Sequence, residues 1–447
     1  MGADLFGIAN LAFYISLILL IVLIIIGVPV PLCFAASLAF LVFTSDIDII
    51  PQIPMGFRKM SSLTLLAVPF FIMAGGFMSS AGIAERIIRL SNATVGRMRS
   101  SLGASTVVAC AMTGAIAGTC SAAVAAIGAI MIPSMEKAGY ERGYATGLVA
   151  CASVLGQLIP PSVPMILYAF VSRQSVLACF LSSVGPGILL VVIYIFINKF
   201  LVQKMPNVKA LPNIGFSNQM REIRGALRYG ILALMMPVII LGGIYGGIMT
   251  TTEAAAVATV YVLIIGLFIY RTLTLRKIYS TFATTSITTG VVLIMVFFVI
   301  LISRVQTMLN IPQDLIATLT GISSNKIVIL IMVNVFLILL GMLVDDFTGT
   351  LLAAPLLMPV MMHIGVHPIH FAAILGVNLG LGNVTPPVAP ILYLACRIGN
   401  VTIDKVMRPA LTFMVFGTIP VLIATTYWPD LSLWLPRLLM PQIMGGG

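Results

Sequence analysis

The sequence predicts an all-α membrane protein made of two copies of one unit, the second inverted relative to the first. Three observations carry that prediction. Of 447 residues, 60% are hydrophobic and 8% charged, against roughly a quarter charged in an ordinary soluble domain. Apolar runs of about 20 residues, the length that crosses a bilayer, recur along the whole chain. Finally, Pro160-Pro161-x-x-Pro164 returns 226 residues later as Pro386-Pro387-x-x-Pro390, and at the same offset Pro133, Gly156 and Ala169 reappear as Pro359, Gly382 and Ala395.

Each half reads as seven elements. In the first unit, 9–199, they are helices at 9–27, 30–46 and 61–79, an amphipathic stretch at 81–95, a hairpin at 101–135, a broken helix at 145–172 and a closing helix at 175–199. The second unit, 229–427, repeats the order at 229–248, 252–270, 284–303, 305–320, 326–362 (hairpin), 367–396 (broken helix) and 408–427. Five of the seven cross the membrane, and an odd number turns the second unit upside down. A basic cytoplasmic linker, 200–228, joins the units, and 428–447 is a C-terminal tail.

The hairpin assignment rests on length. Ser101 to Ser134 would span about 51 Å as one helix, too long for a hydrocarbon core of about 30 Å. Its midpoint holds Gly114-Ala-Ile-Ala-Gly118-Thr-Cys-Ser121, and its flanks carry Arg97, Arg99, Lys137 and Arg142, so it dips in and returns on one side. The Gly114-x-x-x-Gly118 spacing alone fits a close helix contact equally well. The counterpart breaks at Gly341-Met-Leu-Val-Asp345-Asp346-Phe-Thr348-Gly349-Thr350.

Charge tests this topology, because basic residues favour cytoplasmic loops. With the N-terminus outside, cytoplasmic segments receive 18 of the 24 Lys and Arg, Lys209 among them, and six remain outside. That supports ten crossings with both termini outside. The formal charge of +11 is thereby accounted for without nucleic acid. The N-terminus lacks the basic region and cleavage site of a signal peptide. Cys33, Cys110, Cys120, Cys151, Cys179 and Cys396 show no C-x-x-C spacing and read as small buried hydrophobes. No phosphate-binding loop, H-E-x-x-H or G-x-S-x-G motif is present, so neither ATP hydrolysis by that route nor a membrane hydrolase is supported.

Proline lacks an N–H and clashes with the carbonyl one turn back, so adjacent prolines stop a helix in mid-membrane and free backbone carbonyls. Such carbonyls survive only where they line protein or a water cavity. A desolvated cation such as sodium is their natural partner. Additional oxygens come from Thr119, Ser121 and Ser162 in one half and Thr348, Thr350, Thr385 and the amide of Asn383 in the other. Half-helix N-termini beside them offer positive dipole ends to an anion. An isolated proline such as Pro237 reads as a packing kink.

Asp345 and Asp346 lie well inside a predicted membrane segment and are functional candidates because buried carboxylates are costly unless paired or ion-bound. Asp345 is the preferred cation partner, and Asp346 faces the cavity. A metal-dependent enzyme would need a second acidic motif, which the chain lacks. Thr250-Thr-Thr-Glu253 reads as a capping box. His363, His367 and His370 read as solvated loop histidines, with no neighbouring Cys or acid to complete a transition-metal site.

Gly242-Gly-Ile-Tyr-Gly-Gly-Ile-Met-Thr-Thr-Thr-Glu-Ala-Ala-Ala-Val257, Gly118-Thr-Cys-Ser-Ala-Ala, Ile159-Pro-Pro-Ser-Val-Pro164, Val68-Pro-Phe-Phe-Ile-Met-Ala-Gly75 and Thr385-Pro-Pro-Val388 together resemble the large membrane subunit of tripartite ATP-independent periplasmic (TRAP) transporters. The resemblance runs from about residue 10 to 430. It implies a sodium-coupled importer of an organic acid in the bacterial inner membrane, working with a periplasmic substrate-binding protein and a small four-helix membrane subunit. It also implies a fixed scaffold and an elevator-like transport domain built from the hairpins and broken helices. Carried over, one sodium site falls at Gly118, Thr119 and Ser121 with Pro160, Pro161 and Ser162. The other falls at Asp345, Thr348 and Thr350 with Gly382, Asn383, Thr385, Pro386 and Pro387. The substrate would lie between them, near Ser121, Ser162, Asp346, Thr348 and Asn383. No cofactor is implied beyond sodium as coupling ion.

Three positions depart from the family pattern: Ala123 where an acid is common, Thr251 where a proline often sits, and Ala389-Pro390 where a glycine usually follows the second double proline. No four-helix segment flanks the repeats, so the small subunit is expected as a separate chain. The alternative is a stand-alone ion-coupled exporter or exchanger of the same architecture.

Overall fold

A computed structural model describes residues 2–45, 47–95, 99–208 and 215–444. Arg97, Lys209 and the rest of 209–214 in the expected linker, and the last three residues of the expected tail, lie outside the described residues. Among the described residues every regular element is a helix.

The first half contains α1 (Gly2–Ile26), α2 (Val30–Ser45), α3 (Gln52–Met60), α4 (Leu63–Ser80), α5 (Ile83–Val95), α6 (Ser101–Ala117), α7 (Cys120–Lys137), α8 (Arg142–Ala152), α9 (Leu155–Leu158), α10 (Val163–Ser172) and α11 (Val176–Gln203). The second contains α12 (Gly215–Tyr245), α13 (Thr251–Ile264, continued by a π-helical turn to Ile269), α14 (Leu275–Met308), α15 (Ile311–Ile322), α16 (Lys326–Leu343), α17 (Asp346–His363), α18 (Pro368–Val384) and α19 (Pro390–Gly399). It closes with α20 (Ile403–Phe413), a π-helical turn over Met414–Thr418, α21 (Ile419–Tyr427), α22 (Asp430–Leu439) and α23 (Pro441–Met444).

Among the described residues, seven helices are long and apolar enough to cross a membrane, or eight if α8–α9 and α10, bent by 42° at their break, count as one. The sequence predicted ten crossings. Part of the difference arises because expected spans such as Val30–Ser45 and Pro368–Val384 are shorter apolar helices, bounded by turns and prolines. Two of the seven, Cys120–Lys137 and Lys326–Leu343, are limbs of the expected hairpins.

Two expected segments gain detail and one expectation is corrected. Within the expected linker, α11 runs to Gln203 and α12 begins at Gly215, so much of it extends the flanking helices. The tail contains α22, which packs along α11, with Gly185 meeting the Leu431 carbonyl so closely that a side chain could not fit. Among the histidines, only His363 is exposed; His367 accepts the Ile369 N–H on Nδ1 at 3.1 Å as the N-cap of α18, and His370 is buried with Nε2 2.7 Å from the Thr425 carbonyl. The short helix α3 carried no periodic signal long enough to be expected.

The helices sort by packing into two groups. In one, α4 packs against α13 and α14, α1 and α14 against α2, and α12 against α5 and α13. Threonines stitch the α4–α13 seam: Thr252 donates to the Leu63 carbonyl at 2.7 Å, Thr259 to Phe70 at 2.9 Å and Thr272 to Ala81 at 2.8 Å. Such interhelical bonds replace the hydrophobic driving force that lipid cannot supply. The Thr250–Glu253 capping box forms as expected, with the carboxylate accepting the Thr250 N–H at 2.8 Å.

The second group surrounds α8–α10 and α18, which are buried on nearly every side. All six cysteines are buried and unpaired by disulfides. Here α16 and α17 pack against α18, α7 against α8 and α19, and α10 against α17. The groups meet where α4 and α5 touch α6 and where α14 and α15 touch α17. Small residues allow this approach: a Cβ on Gly75 would stand 3.1 Å from Ala117 Cα.

The Gly114-x-x-x-Gly118 spacing resolves as close packing against a broken helix. A Cβ on Gly114 would meet Gly156 Cα at 2.7 Å and the Leu155 carbonyl at 2.8 Å. Gly114→Ala is therefore expected to cost about 1–3 kcal/mol by overpacking, seen as a lowered thermal midpoint in detergent. Gly242→Ala, with nothing within 4 Å of its Cβ, is expected to leave that midpoint unchanged or higher.

Candidate functional site: four helix breaks in one place

Both hairpins turn through two residues, and the second of each caps the following helix. Thr119 Oγ1 accepts the Ala122 N–H at 3.3 Å; 226 residues on, Asp345 Oδ1 accepts the Thr348 N–H at 3.2 Å. The backbone at Gly118 is left-handed, φ 65°, which glycine adopts without penalty. The two double prolines interrupt their helices at matching places, and each contains a cis peptide bond.

Each break is tied to its own hairpin. The Val163 N–H donates to the Gly118 carbonyl and the Ala389 N–H to the Met342 carbonyl, both at 3.1 Å. Gly156 lies against the Thr119 carbonyl, 2.5 Å from where its Cβ would be, and Gly382 lies against Gly341 in the same way. The halves then meet across the middle. Gln157 Nε2 donates to the Gly376 carbonyl of α18 at 2.7 Å, and the Asp346 carboxyl faces Cys120 at the tip of the first hairpin.

Buried oxygens without a hydrogen-bond partner lie on these segments, Ser162 Oγ, Asp346 Oδ2, Thr348 Oγ1, Gln157 Oε1, Thr113 Oγ1 and Asn383 Oδ1, and the Asn383 amide nitrogen is likewise unpartnered. Leaving one such group unpaired costs about 1–3 kcal/mol. A small hard cation, which takes oxygen ligands, fits a donor set of carboxylate, hydroxyl and amide oxygens. The orphaned atoms therefore suit sodium.

Other predicted site residues have different work. Asp345 spends a carboxylate oxygen on its cap. The Thr350 hydroxyl donates to the Asp346 carbonyl at 2.7 Å and the Thr385 hydroxyl to the Leu381 carbonyl at 2.6 Å, which leaves only their lone pairs for an ion. Pro160 and Pro161 are buried, whereas Pro386 is half-buried and Pro387 exposed. Ser121 is exposed at the first hairpin tip.

Sequence reasoning missed Gln157, Thr113 and Cys120. The 226-residue register could have found Gln157, since it superposes on Asn383; Thr113 pairs with Leu339, so no register signal marks it.

The match to known proteins decides the family: residues 17–431 fit the description "Tripartite ATP-independent periplasmic transporter, DctM component". The chain belongs to the DctM family. It is thus a membrane protein, the large permease of a TRAP transporter, a family that works with a small membrane subunit and a periplasmic binding protein.

The permease is 36% identical to the C4-dicarboxylate TRAP transporter large permease protein DctM of Vibrio cholerae, over 96% of this chain and 98% of that protein. It is 32% identical to the isethionate TRAP transporter permease protein DctMQ of Oleidesulfovibrio alaskensis, over 92% of this chain but 64% of that longer protein. In fold it resembles the YdaH transporter of Alcanivorax borkumensis, TM-score 0.58 at 16% identity, covering 84% of this chain and 88% of that one.

Substitutions at two positions test the local geometry of the permease. Asp345→Asn keeps a capping oxygen and should hold the thermal midpoint, whereas Asp345→Ala should cost about 0.5–2 kcal/mol. Ala389 adopts a left-handed backbone, φ 39°, where the family pattern has glycine, so Ala389→Gly should stabilise by about 1 kcal/mol. Thermal unfolding of the purified chain reads both.

Proposed function

We propose that this permease imports a small organic anion, a carboxylate or sugar acid, by sodium symport. In this reading it sits in the bacterial inner membrane with both termini periplasmic. It receives substrate from a periplasmic binding protein and pairs with a small four-helix subunit encoded as a separate chain. Its two halves are inverted repeats, and the hairpins and broken helices slide as an elevator past the α1–α5 and α12–α15 scaffold.

The observation that carries the reading is the gathering of unpartnered buried oxygens on four helix breaks. Sodium held by Ser162, Asp346, Thr348 and Asn383 satisfies groups that the apolar interior otherwise penalises, and so stabilises the hairpin tips against the broken helices. Two sites built from matched segments, one per half, give a cavity between them in which the substrate lies near Ser121. An anion entering that cavity meets the N-terminus of α10 and the charge of the bound cations, so ion and substrate favour each other's binding. Relatives named for C4-dicarboxylate and isethionate transport support an organic acid as cargo.

Reconstituted in liposomes with its partners, the permease should accumulate substrate only under an inward sodium gradient; uptake indifferent to sodium would overturn the mechanism. Asp346→Asn and Asn383→Ala should each raise the sodium concentration for half-maximal uptake by about tenfold or more, the equivalent of about 1.4 kcal/mol of lost binding. Pro161→Ala should impair uptake more than Pro237→Ala.

A further inference from the structure

A polar cavity lies away from the helix breaks. It has a volume of about 920 Å³ and opens between α3, α4, the Thr250–Thr251 turn and α14 on one side and the α10–α11 junction on the other. That volume falls within the range of small-molecule sites, about 300–1,000 Å³. Three cations line it: Lys59 at the end of α3, Arg304 near the end of α14, and Arg173, the residue after α10. The ion pairs that the described residues form, Arg142–Glu136 and Arg437–Asp430, involve none of them.

The three charges sense one another. Burial, then the positive fields of Arg173 and Arg304, hold the Lys59 ammonium below the usual lysine range. Gln52 accepts one bond from Arg304 Nε at 3.3 Å, which leaves the rest of that guanidinium available. Val299 and Ile300 of α14 and Phe170 of α10 form apolar walls, and low-dielectric walls around one sign of charge focus the field on an entering anion. All three cations fall on the side that the charge distribution assigns to the exterior.

We propose that this cleft is a receiving site for the anionic group of the substrate, a carboxylate or sulfonate, distinct from the site at the helix breaks. Arg173 holds the anion from the α10–α11 side, and Lys59 and Arg304 hold it from the scaffold side. The two sites are joined by α10 itself: Arg173 follows its C-terminus and Ser162 precedes its N-terminus, about 15 Å apart for ten residues. An anion bridging the two walls neutralises the repulsion between them, and relative movement of the walls would separate its partners and release it inward. This deepens the proposed function and rests on its assumption of an organic-anion cargo.

Thiol labelling of the full chain tests it without any transport measurement. Thr307 lines the cleft and is exposed, and the native cysteines are buried, with Cys396 alone lining an open surface cavity, so Thr307→Cys in a Cys396→Ser background gives one accessible thiol. The ratio of its reaction rates with an anionic (sulfonatoethyl) and a cationic (trimethylammonioethyl) methanethiosulfonate cancels any change in thiol acidity. That ratio should fall about tenfold or more when Lys59→Gln, Arg173→Asn and Arg304→Gln are combined, and should hold with Arg173→Lys. Asparagine is chosen because Arg173 has φ 57°, a left-handed backbone that Asn tolerates.

Millimolar succinate or isethionate should slow labelling by both reagents, while erythritol, or chloride at equal ionic strength, should not. An unchanged ratio in the triple variant, or protection no better than chloride gives, would overturn the proposal. Failure of sodium coupling in liposomes would leave the labelling result intact, so the two readings fall separately.

Discussion

An apolar interior tolerates no idle main-chain polar groups, and that constraint governs the centre of this protein. Four interruptions, at Gly118-Thr119, Ile159 to Ser162, Val344-Asp345 and Thr385 to Ala389, release backbone groups that the apolar interior penalises unless they find partners. Short tethers take up part of the debt: Val163 to Gly118, Ala389 to Met342, and two side-chain caps at the hairpin turns. What remains is a set of oxygens pointed inward. The architecture around them sets the first broken helix and α18 of the second, both buried on nearly every side, among hairpin limbs and so holds that set largely away from the surface.

Matched positions in the two halves perform related but unequal work. Thr119 and Asp345 are both caps, yet only the second is charged. Gln157 and Asn383 share a register; Gln157 ties the halves together through Gly376, whereas both amide atoms of Asn383 are left unpartnered. Cys120 corresponds to Asp346, so the one half places a thiol where the other places a carboxyl, and the two face each other. The 226-residue register thus pairs the positions, and side-chain differences leave more unpartnered polar atoms on the second half's segments, at Asp346, Thr348 and Asn383, than on the first's.

The same economy applies to positive charge. Some cations are anchored to structure: Arg99 reaches the carbonyls of Val208 and Met205, Arg142 the carbonyl of Gly399 with Glu136 beside it, Lys326 the carbonyl of Gly365, and Arg437 pairs with Asp430. Lys59, Arg173 and Arg304 instead converge on open space.

By itself the sequence determined the membrane class, the positions of the breaks and the family, because composition, apolar run length and proline chemistry act locally and survive without coordinates. It also pointed to the four segments that the fold brings together, since a double proline in an apolar run must interrupt its helix. Only the tertiary structure decided which oxygens are free. Asp345 and Asp346 are indistinguishable neighbours on paper, but a helix start turns one into a cap and buries the other. The Thr350 and Thr385 hydroxyls donate to carbonyls one turn back, whereas the Thr348 and Ser162 hydroxyls find no partner. Lys59, Arg173 and Arg304 stand more than a hundred residues apart in sequence, and only packing of α3, α10 and α14 makes them neighbours. Hydrogen-bond partners and long-range proximity are properties of the packed chain, and no local pattern encodes them.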